Sequence, residues 1–198
     1  MSERFPLQLE DRLKEAWGLF AKAPEIFVTI AFVVFGSSLL FGYIPIVGQI
    51  YTLLAASVGP AAFYLTADDC ARNGRASFES LRKLGALFPQ LLSLLVAKSI
   101  LITIGFLFFI LPGVYLAVLL CFAELFVVIE NKPFLEAMRA SKALVEGNWF
   151  RVFGLCLVAG MIGFSGFLLI GLGLLFTAPF AALLMYCIFK RSHTQVIS

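Results

Sequence analysis

Charge is scarce in this chain, and long stretches have almost none. Charged residues make up 14% of the 198 residues, whereas hydrophobic residues make up 61%. A soluble domain carries about 25% charged residues. Residues 26–67 and 152–189 contain no Asp, Glu, Lys or Arg, and residues 84–129 contain only Lys98 and Glu124. This deficit excludes an ordinary soluble domain, because a core of this size cannot bury so large an apolar excess.

The residues that usually carry catalysis or bind metals are also scarce. The single histidine, His193, has no acidic cluster near it in the sequence, and we interpret it as a solvated residue of the C-terminal tail. The four cysteines are scattered without a CxxC pair, which is typical of small apolar residues rather than ligands or disulfides. Sequence motifs of nucleotide-binding loops, zinc proteases and serine hydrolases are absent. We therefore assign no catalytic residue, no metal ligand and no cofactor, and we expect no enzymatic activity.

Each of the three apolar stretches is about twice as long as a membrane span. A bilayer core about 30 Å thick needs about 20 apolar residues per helix, so each stretch predicts two transmembrane helices. The predicted turns lie near Pro45, at residues 112–113 and at residues 171–173. The sequence therefore predicts an all-α integral membrane protein with six transmembrane helices arranged as three hairpins.

The basic residues indicate the orientation of these hairpins. Fourteen of the fifteen Lys and Arg residues lie outside the three stretches, and the exception is Lys98. Because cytoplasmic loops of membrane proteins are enriched in Lys and Arg, we predict that both the N and the C terminus are cytoplasmic. We expect a multi-pass protein of the bacterial inner membrane. The net charge of +3 gives no indication of nucleic-acid binding.

The charged segment before each stretch has the spacing of an amphipathic helix. Apolar residues recur every three or four positions in residues 9–20, 78–88 and 134–145, and Arg12 and Lys14 fall mostly on the polar side of the first segment. Basic residues beside Trp or Phe are typical of a helix in the membrane interface. We predict an interfacial helix before each hairpin, with ordinary cytoplasmic linkers as the alternative. The predicted interfacial anchors are Trp17, Phe20, Phe78, Phe88, Phe134 and Trp149.

One interfacial helix and one hairpin form a unit that is repeated three times. The predicted pseudo-repeats are residues 1–70, 71–131 and 132–198, within a single transmembrane domain of residues 1–198. Support at the residue level comes from the sequence GPAA at residues 59–62, which resembles APFAA at residues 178–182.

Lys98 and Glu124 are the candidate site of this sequence. Lys98 lies 14 residues before Pro112 and Glu124 lies 12 residues after it. If the chain turns at Pro112, a rise of about 1.5 Å per residue leaves them about 3 Å apart in depth. A lone charge in mid-membrane costs at least about 2.5–3.5 kcal/mol, so we predict an intramembrane ion pair. The pair is either a structural link between two helices or a polar site for an ion, a proton or a lipid headgroup.

Residues 111–154 carry a family resemblance. They read LPGVYLAVLLCFAELFVVIENKPFLEAMRASKALVEGNWFRVFG. The pattern resembles the YciC-like family of uncharacterised six-span bacterial inner-membrane proteins, and it is similar to the membrane domain fused to some glycerophosphodiester phosphodiesterases. The matching elements are Pro112-Gly113-x-Tyr115, Val127-Val128-x-Glu130, Glu136-Ala137-x-x-x-Ser141 and Gly147-Asn148-Trp149. The resemblance implies a polytopic plasma-membrane protein of undefined biochemistry. Glu124 departs from the pattern, where an apolar residue or proline is expected.

Two functions are compatible with these features. The first is a non-enzymatic membrane scaffold, or a module that interacts with membrane lipids or with other membrane proteins. The alternative is a small transporter or channel for a solute or an ion, with Lys98 and Glu124 near its pathway. The sequence does not indicate an oligomeric state. A water-accessible cavity at the depth of Lys98 would favour transport, whereas a solid bundle would favour the module.

Overall fold

The computed structural model describes residues 9–168 and 173–197, and every regular element in these residues is a helix. The prediction of an all-α fold is therefore confirmed for this part of the chain. The helices are α1 (Leu9–Lys22), α2 (Pro24–Gly42), α3 (Val47–Asn73), a short 3-10 helix (Phe78–Arg82), α4 (Lys83–Phe108), α5 (Ile110–Leu119), α6 (Ala123–Glu130), α7 (Phe134–Val145), α8 (Trp149–Leu168) and α9 (Leu174–Ile197).

Six segments of the described chain are long and apolar enough to cross a membrane. Their number agrees with the sequence prediction, and they are compatible with a multi-pass membrane protein. The segments are α2, α3, the 3-10 helix with α4, α5 with α6, α8, and α9.

Consecutive apolar helices pack against each other. The most extensive packing joins α8 to α9, α4 to α5, and α2 to α3. Helices α3 and α9 are central, because α3 also contacts α4, α6 and α9, while α9 also contacts α1 and α2. The pair α8–α9 and the pair α2–α3 therefore meet along α9.

The hydrophobic core lies mainly at one end of this bundle. Residues 61–67 of α3 and residues 186–189 of α9 are all buried, and α1, α6 and α7 add buried side chains beside them. We call this the basic end, because the described Lys and Arg residues other than Lys98 lie near it. At the opposite end, residues 39–47 and 106–111 are all exposed. The apolar helices are thus well packed at the basic end and poorly covered at the other.

The turn between α4 and α5 differs from the predicted position. Phe109 is the single non-helical residue between the two helices, and Pro112 lies in the first turn of α5. Proline is tolerated there because that backbone N–H has no helical partner. A Cβ on Gly105 would lie 2.9 Å from the Cα of Gly113. The two glycines therefore allow a close approach that a larger residue would prevent. The predicted turn at residues 171–173 falls largely outside the described residues.

The second predicted interfacial helix also differs from expectation. Residues 78–82 form only a 3-10 helix, which continues directly into α4. Ser77 begins this segment, since its Oγ accepts a hydrogen bond of 3.1 Å from the Glu79 N–H. Its own N–H donates to Asp69 Oδ2 at 2.9 Å. The first and third segments do form separate helices, α1 and α7.

Candidate functional site

Lys98 of α4 and Glu124 of α6 form an ion pair. The distance between Lys98 Nζ and Glu124 Oε1 is 3.2 Å, and the side chains are 22% and 17% exposed. Counted from the observed turn at Phe109, the two residues are 11 and 15 positions away. That difference corresponds to about 6 Å along a regular helix, so the spacing argument alone does not account for the contact.

An interruption of the fourth apolar segment lies next to this pair. Residues 120–122 are non-helical, and they separate α5 from α6 just before Glu124. Ser141 of α7 fills the interruption: its hydroxyl donates to the Leu119 carbonyl at 2.7 Å and accepts from the Phe122 N–H at 3.2 Å. Ser141 is fully buried. Ser141 therefore gives both buried backbone groups at the interruption a hydrogen-bond partner.

Three further polarisable side chains surround the pair. Tyr64, Cys121 and Cys156 lie close enough to interact electrostatically with Lys98 or Glu124, and the two thiols interact with each other. All four cysteines are free thiols. The sequence placed Cys121 and Cys156 in different predicted spans, and nothing in their spacing indicated that they meet.

A second polar cluster lies at the basic end. Tyr186 of α9 donates a hydrogen bond of 2.9 Å to Asp68 Oδ1 of α3, and Arg72 Nε lies 2.7 Å from Asp68 Oδ2. These residues line a pocket of about 650 Å³ that also includes Glu130, Lys190 and His193. The pocket joins the basic ends of α3, α6 and α9.

His193 is not the solvated tail residue that the sequence predicted. Its Nε2 lies 2.9 Å from Glu130 Oε1, and its side chain is only 27% exposed. The ring stacks on Phe189 at 5.5 Å and meets the edge of Phe126 at 5.6 Å. Lys132 Nζ lies 2.7 Å from Glu130 Oε2. The prediction failed because α9 remains helical beyond the apolar stretch. His193 therefore lies on α9, in contact with residues of α6.

An apolar cleft lies between α2, α3, α8 and α9. It has a volume of about 450 Å³, and its wall is made largely of alanine, glycine and large apolar residues. Both sequence segments that suggested an internal repeat contribute to it, through Gly59 and Pro60 of α3 and through Ala178, Ala181 and Ala182 of α9. Hydroxyl groups are few at its wall.

A second apolar cleft of about 600 Å³ lies along the other side of α8. It is lined by α8 residues from Phe153 to Ser165 and by Val118 of α5. Helix α8 therefore has one cleft on each side, and it packs extensively only against α9.

Arg12 of α1 is buried, in contrast to the polar face that the sequence predicted for it. The residue is 1% exposed, and its Nε and Nη1 have no hydrogen-bond partner among the described residues. Burial lowers the pKa of the guanidinium, and the nearby charge of Arg191 lowers that pKa further. The buried residues of α1 are Arg12, Ala16, Leu19 and Phe20, and the helix packs mainly against α9. Helical spacing did not reveal the burial of Arg12, because the buried face of α1 is rotated relative to its most apolar face.

The predicted interfacial anchors have unequal exposure. Trp17 and Phe78 are 62% and 53% exposed, and three others are partly buried. Phe20 must be corrected: it is only 7% exposed and stacks on Phe27 at 6.0 Å inside the core, so it is not available to lipid. Trp149 donates its Nε1–H to the Tyr115 carbonyl at 3.2 Å. The partly buried anchors are Phe88, Phe134 and Trp149.

In the described residues, the fold and these sites define an all-α protein with six potential membrane spans, apolar clefts on both sides of α8 and a charged pocket at one end. Residues 76–197, more than half of the chain, match the family described as a domain of unknown function (DUF7847), and the chain belongs to this family. The matched region includes Lys98, Glu124 and Ser141 but not Arg12 or the helices α1–α3. No solved structure matches the chain.

Proposed function

We propose that this protein is a multi-pass protein of the bacterial inner membrane with both termini in the cytoplasm. Six long apolar segments support the insertion. The position of fourteen of fifteen Lys and Arg residues outside the apolar stretches supports the orientation. In this arrangement the six segments form three hairpins, α1 and α7 lie at the cytoplasmic interface, and the basic end faces the cytoplasm. The resemblance to the YciC-like family is part of the same proposal.

Within the membrane, the protein acts without catalysis, as a module that binds lipid. The cleft of about 450 Å³ between α2, α3, α8 and α9 is the observation that carries this function. Its wall of small residues leaves space along the helices, and at bilayer depth an apolar space is filled by acyl chains rather than by water. The poorly covered ends of the helices beyond it extend the apolar surface available to the same lipid.

Filling the cleft tests this function. Gly59 lies in the wall of the cleft, and a Cβ there would lie 3.4 Å from Val34 Cγ1 of the same wall, whereas a Cβ on Gly36 of α2 meets nothing within 4 Å. Gly59→Leu should therefore displace the acyl chain, and Gly36→Leu should leave it in place. The measurement is the amount of lipid per protein after purification in mild detergent, by mass spectrometry of the intact complexes.

The control variant decides the meaning of the result. Both replacements put leucine in place of a helical glycine, so they change the helix propensity equally. Loss of lipid only in Gly59→Leu supports the proposal. Equal lipid retention by both variants, with both folded, would contradict it.

A second function is favoured by one specific observation, the interrupted fourth segment beside the Lys98–Glu124 pair. Transporters often have broken helices and charged residues at mid-membrane, so a small transporter that uses this pair is the alternative. The hydrogen bonds of Ser141 weigh against it, because they tie the interruption to α7 and give it a structural role. A Lys98→Leu/Glu124→Leu double variant that is stable but loses cellular function would favour transport.

A further inference from the structure

Tyr64 of α3 is a buried polar residue in the wall of the apolar cleft between α2, α3, α8 and α9. It borders the cleft and is only 7% exposed. The Tyr51 hydroxyl donates to Ser37, whereas the Tyr64 hydroxyl makes no hydrogen bond in the described part of the chain. The Tyr64 oxygen is not fully enclosed either. Because the hydroxyl of a buried tyrosine normally finds a partner, the cleft is the place where a ligand can supply one.

The other two hydroxyl-bearing residues described in this wall, Ser38 and Thr52, differ from Tyr64. Ser38 Oγ donates to the Val34 carbonyl at 2.6 Å. Thr52 Oγ1 donates to the Gly48 carbonyl at 2.7 Å. Both bonds stay within one helix, where serine and threonine commonly bond to the carbonyl four residues earlier. Neither hydroxyl therefore needs a partner in the cleft.

Pro60 adds a hydrogen-bond acceptor to the same wall. Proline has no N–H, so the carbonyl four residues earlier in α3, that of Ala56, loses its usual helical donor. Ala56 and Pro60 both border the cleft, and Ala56 is exposed. The wall therefore combines a donor, the Tyr64 hydroxyl, with an acceptor, the Ala56 carbonyl.

Charge is absent from this wall. None of the described residues that border the cleft is charged. The ion pair of Lys98 and Glu124 does not border it, and its two charges face each other at 3.2 Å. A phosphate group beside Tyr64 would have no cation in the wall to compensate it. Because burying an uncompensated charge costs far more than burying a hydroxyl or an ester, the wall favours an uncharged ligand.

The depth of Tyr64 supports the same conclusion. It lies nine positions before Asn73, the last residue of α3, which is about 14 Å along the helix. In the proposed orientation, Tyr64 therefore lies well below the cytoplasmic headgroups. The phosphate and the ester oxygens of a phospholipid are only a few bonds apart, so an ester that reached Tyr64 would draw its phosphate into the apolar region.

We propose that the cleft binds an electroneutral lipid with a free hydroxyl group, of the diacylglycerol type, and that Tyr64 donates a hydrogen bond to its polar end. The acyl chains fill the apolar part of the cleft. The acceptor at Ala56 accounts for a ligand that carries a hydroxyl donor as well as ester oxygens. This inference rests on the proposed function, because it names the class of lipid that the same cleft takes.

The test titrates dioleoylglycerol and dioleoylphosphatidic acid into the purified, delipidated protein in mild detergent. The two probes have the same acyl chains and differ by one phosphate group. Mass spectrometry of the intact complexes measures the affinity for each probe. The wild type should bind dioleoylglycerol at least about fivefold more tightly than dioleoylphosphatidic acid, because the cleft offers hydrogen bonds but no cation.

Tyr64→Phe removes the hydroxyl and keeps the ring. It should weaken the binding of dioleoylglycerol about fivefold, the effect of one neutral hydrogen bond. Without added lipid, its unfolding temperature should equal that of the wild type, because the hydroxyl has no partner among the described residues. Tyr51→Phe is the matched control on the same helix. Tyr51 does not border the cleft, so this variant should bind dioleoylglycerol like the wild type, although the lost bond to Ser37 should lower its unfolding temperature.

The possible failures of this inference differ from those of the proposed function. Equal binding of dioleoylglycerol by Tyr64→Phe and the wild type would overturn the role of Tyr64. Equal binding of the two probes by the wild type, or binding of neither, would overturn the electroneutral class. In each case the proposed function still stands if Gly59→Leu loses its co-purified lipid. Equal lipid retention by Gly59→Leu and Gly36→Leu would instead contradict the proposed function itself, and this inference would fall with it.

Discussion

Lys98 and Arg12 are both cationic side chains removed from water, and they differ in how their charge is compensated. Lys98 meets Glu124 at 3.2 Å, whereas Arg12 has two enclosed nitrogen atoms without a hydrogen-bond partner in the described part of the chain. The candidate pair could be chosen from the sequence, because two charges in an otherwise apolar stretch need each other. The burial of Arg12 could not, because it depends on how α1 is rotated against α9. For single residues, helical spacing did not determine which side chains of α1 are buried, and the packing of α1 against α9 did.

The Lys98–Glu124 pair leads to a prediction about stability. Lys98→Leu and Glu124→Leu should each lower the free energy of unfolding by about 2–3 kcal/mol, because each leaves the other charge partly buried alone. This is below the range for fully buried pairs, since about a fifth of each side chain is exposed. The double variant should recover most of the loss. Denaturant unfolding of the purified protein in detergent measures all three.

The coupling between the two replacements is the decisive quantity. A positive recovery of at least about 1 kcal/mol in the double variant means that the residues interact in the folded protein. If the two single effects simply add, the ion pair makes no net contribution and the charges are stabilised separately.

At the scale of single elements, the helices were predictable but their ends and interruptions were not. Six apolar segments follow from length and composition alone. The turn at Phe109 and the interruption at residues 120–122 depend on contacts from outside the segment, such as the Gly105–Gly113 approach. Proline was a misleading marker at position 112, since it suits the start of a helix as well as a turn. Local residue types therefore narrowed the turn to a few positions without fixing it.

Ser141 is expected to be the residue that stabilises the interruption between α5 and α6. Ser141→Ala removes the hydroxyl that hydrogen-bonds both to the Leu119 carbonyl and to the Phe122 N–H, and both groups are buried. Leaving buried polar groups unpaired costs about 1–3 kcal/mol, and we expect a loss of unfolding free energy in this range. Thermal or denaturant unfolding in detergent measures it.

Ser192 provides the matched control for this prediction. It is also fully buried, but its hydroxyl donates to the Ile188 carbonyl of its own helix at 2.8 Å. That carbonyl keeps its helical hydrogen bond when the hydroxyl is removed, so Ser192→Ala should cost less than about 0.5 kcal/mol. Similar losses for the two variants would mean that Ser141 does not stabilise the interruption.

At the scale of the whole molecule, the bundle is packed at the basic end and open at the other. The sequence predicted the fold class because composition alone separates membrane spans from a soluble core. Beyond consecutive spans, it could not predict which helices meet, because lipid-facing and buried positions are equally apolar and show no periodic pattern. The clefts on both sides of α8 are a consequence of this loose packing. They arise from the arrangement of whole helices, not from any motif.

The orientation of the whole molecule is the last prediction. Reporter fusions after Lys22, Arg75, Lys142 and at the C terminus should be active only as cytoplasmic reporters, because Lys and Arg are retained on the cytoplasmic side. Fusions at Pro45 and Phe109, in the turns at the opposite end, should be active only as external reporters. The second external fusion is placed at Phe109 rather than near Pro112, because the structure has the turn at Phe109. A fusion at Phe109 that reports cytoplasm would mean that the second apolar pair does not cross the membrane. The ion pair of Lys98 and Glu124 would then lie outside the bilayer, and the case for transport would end.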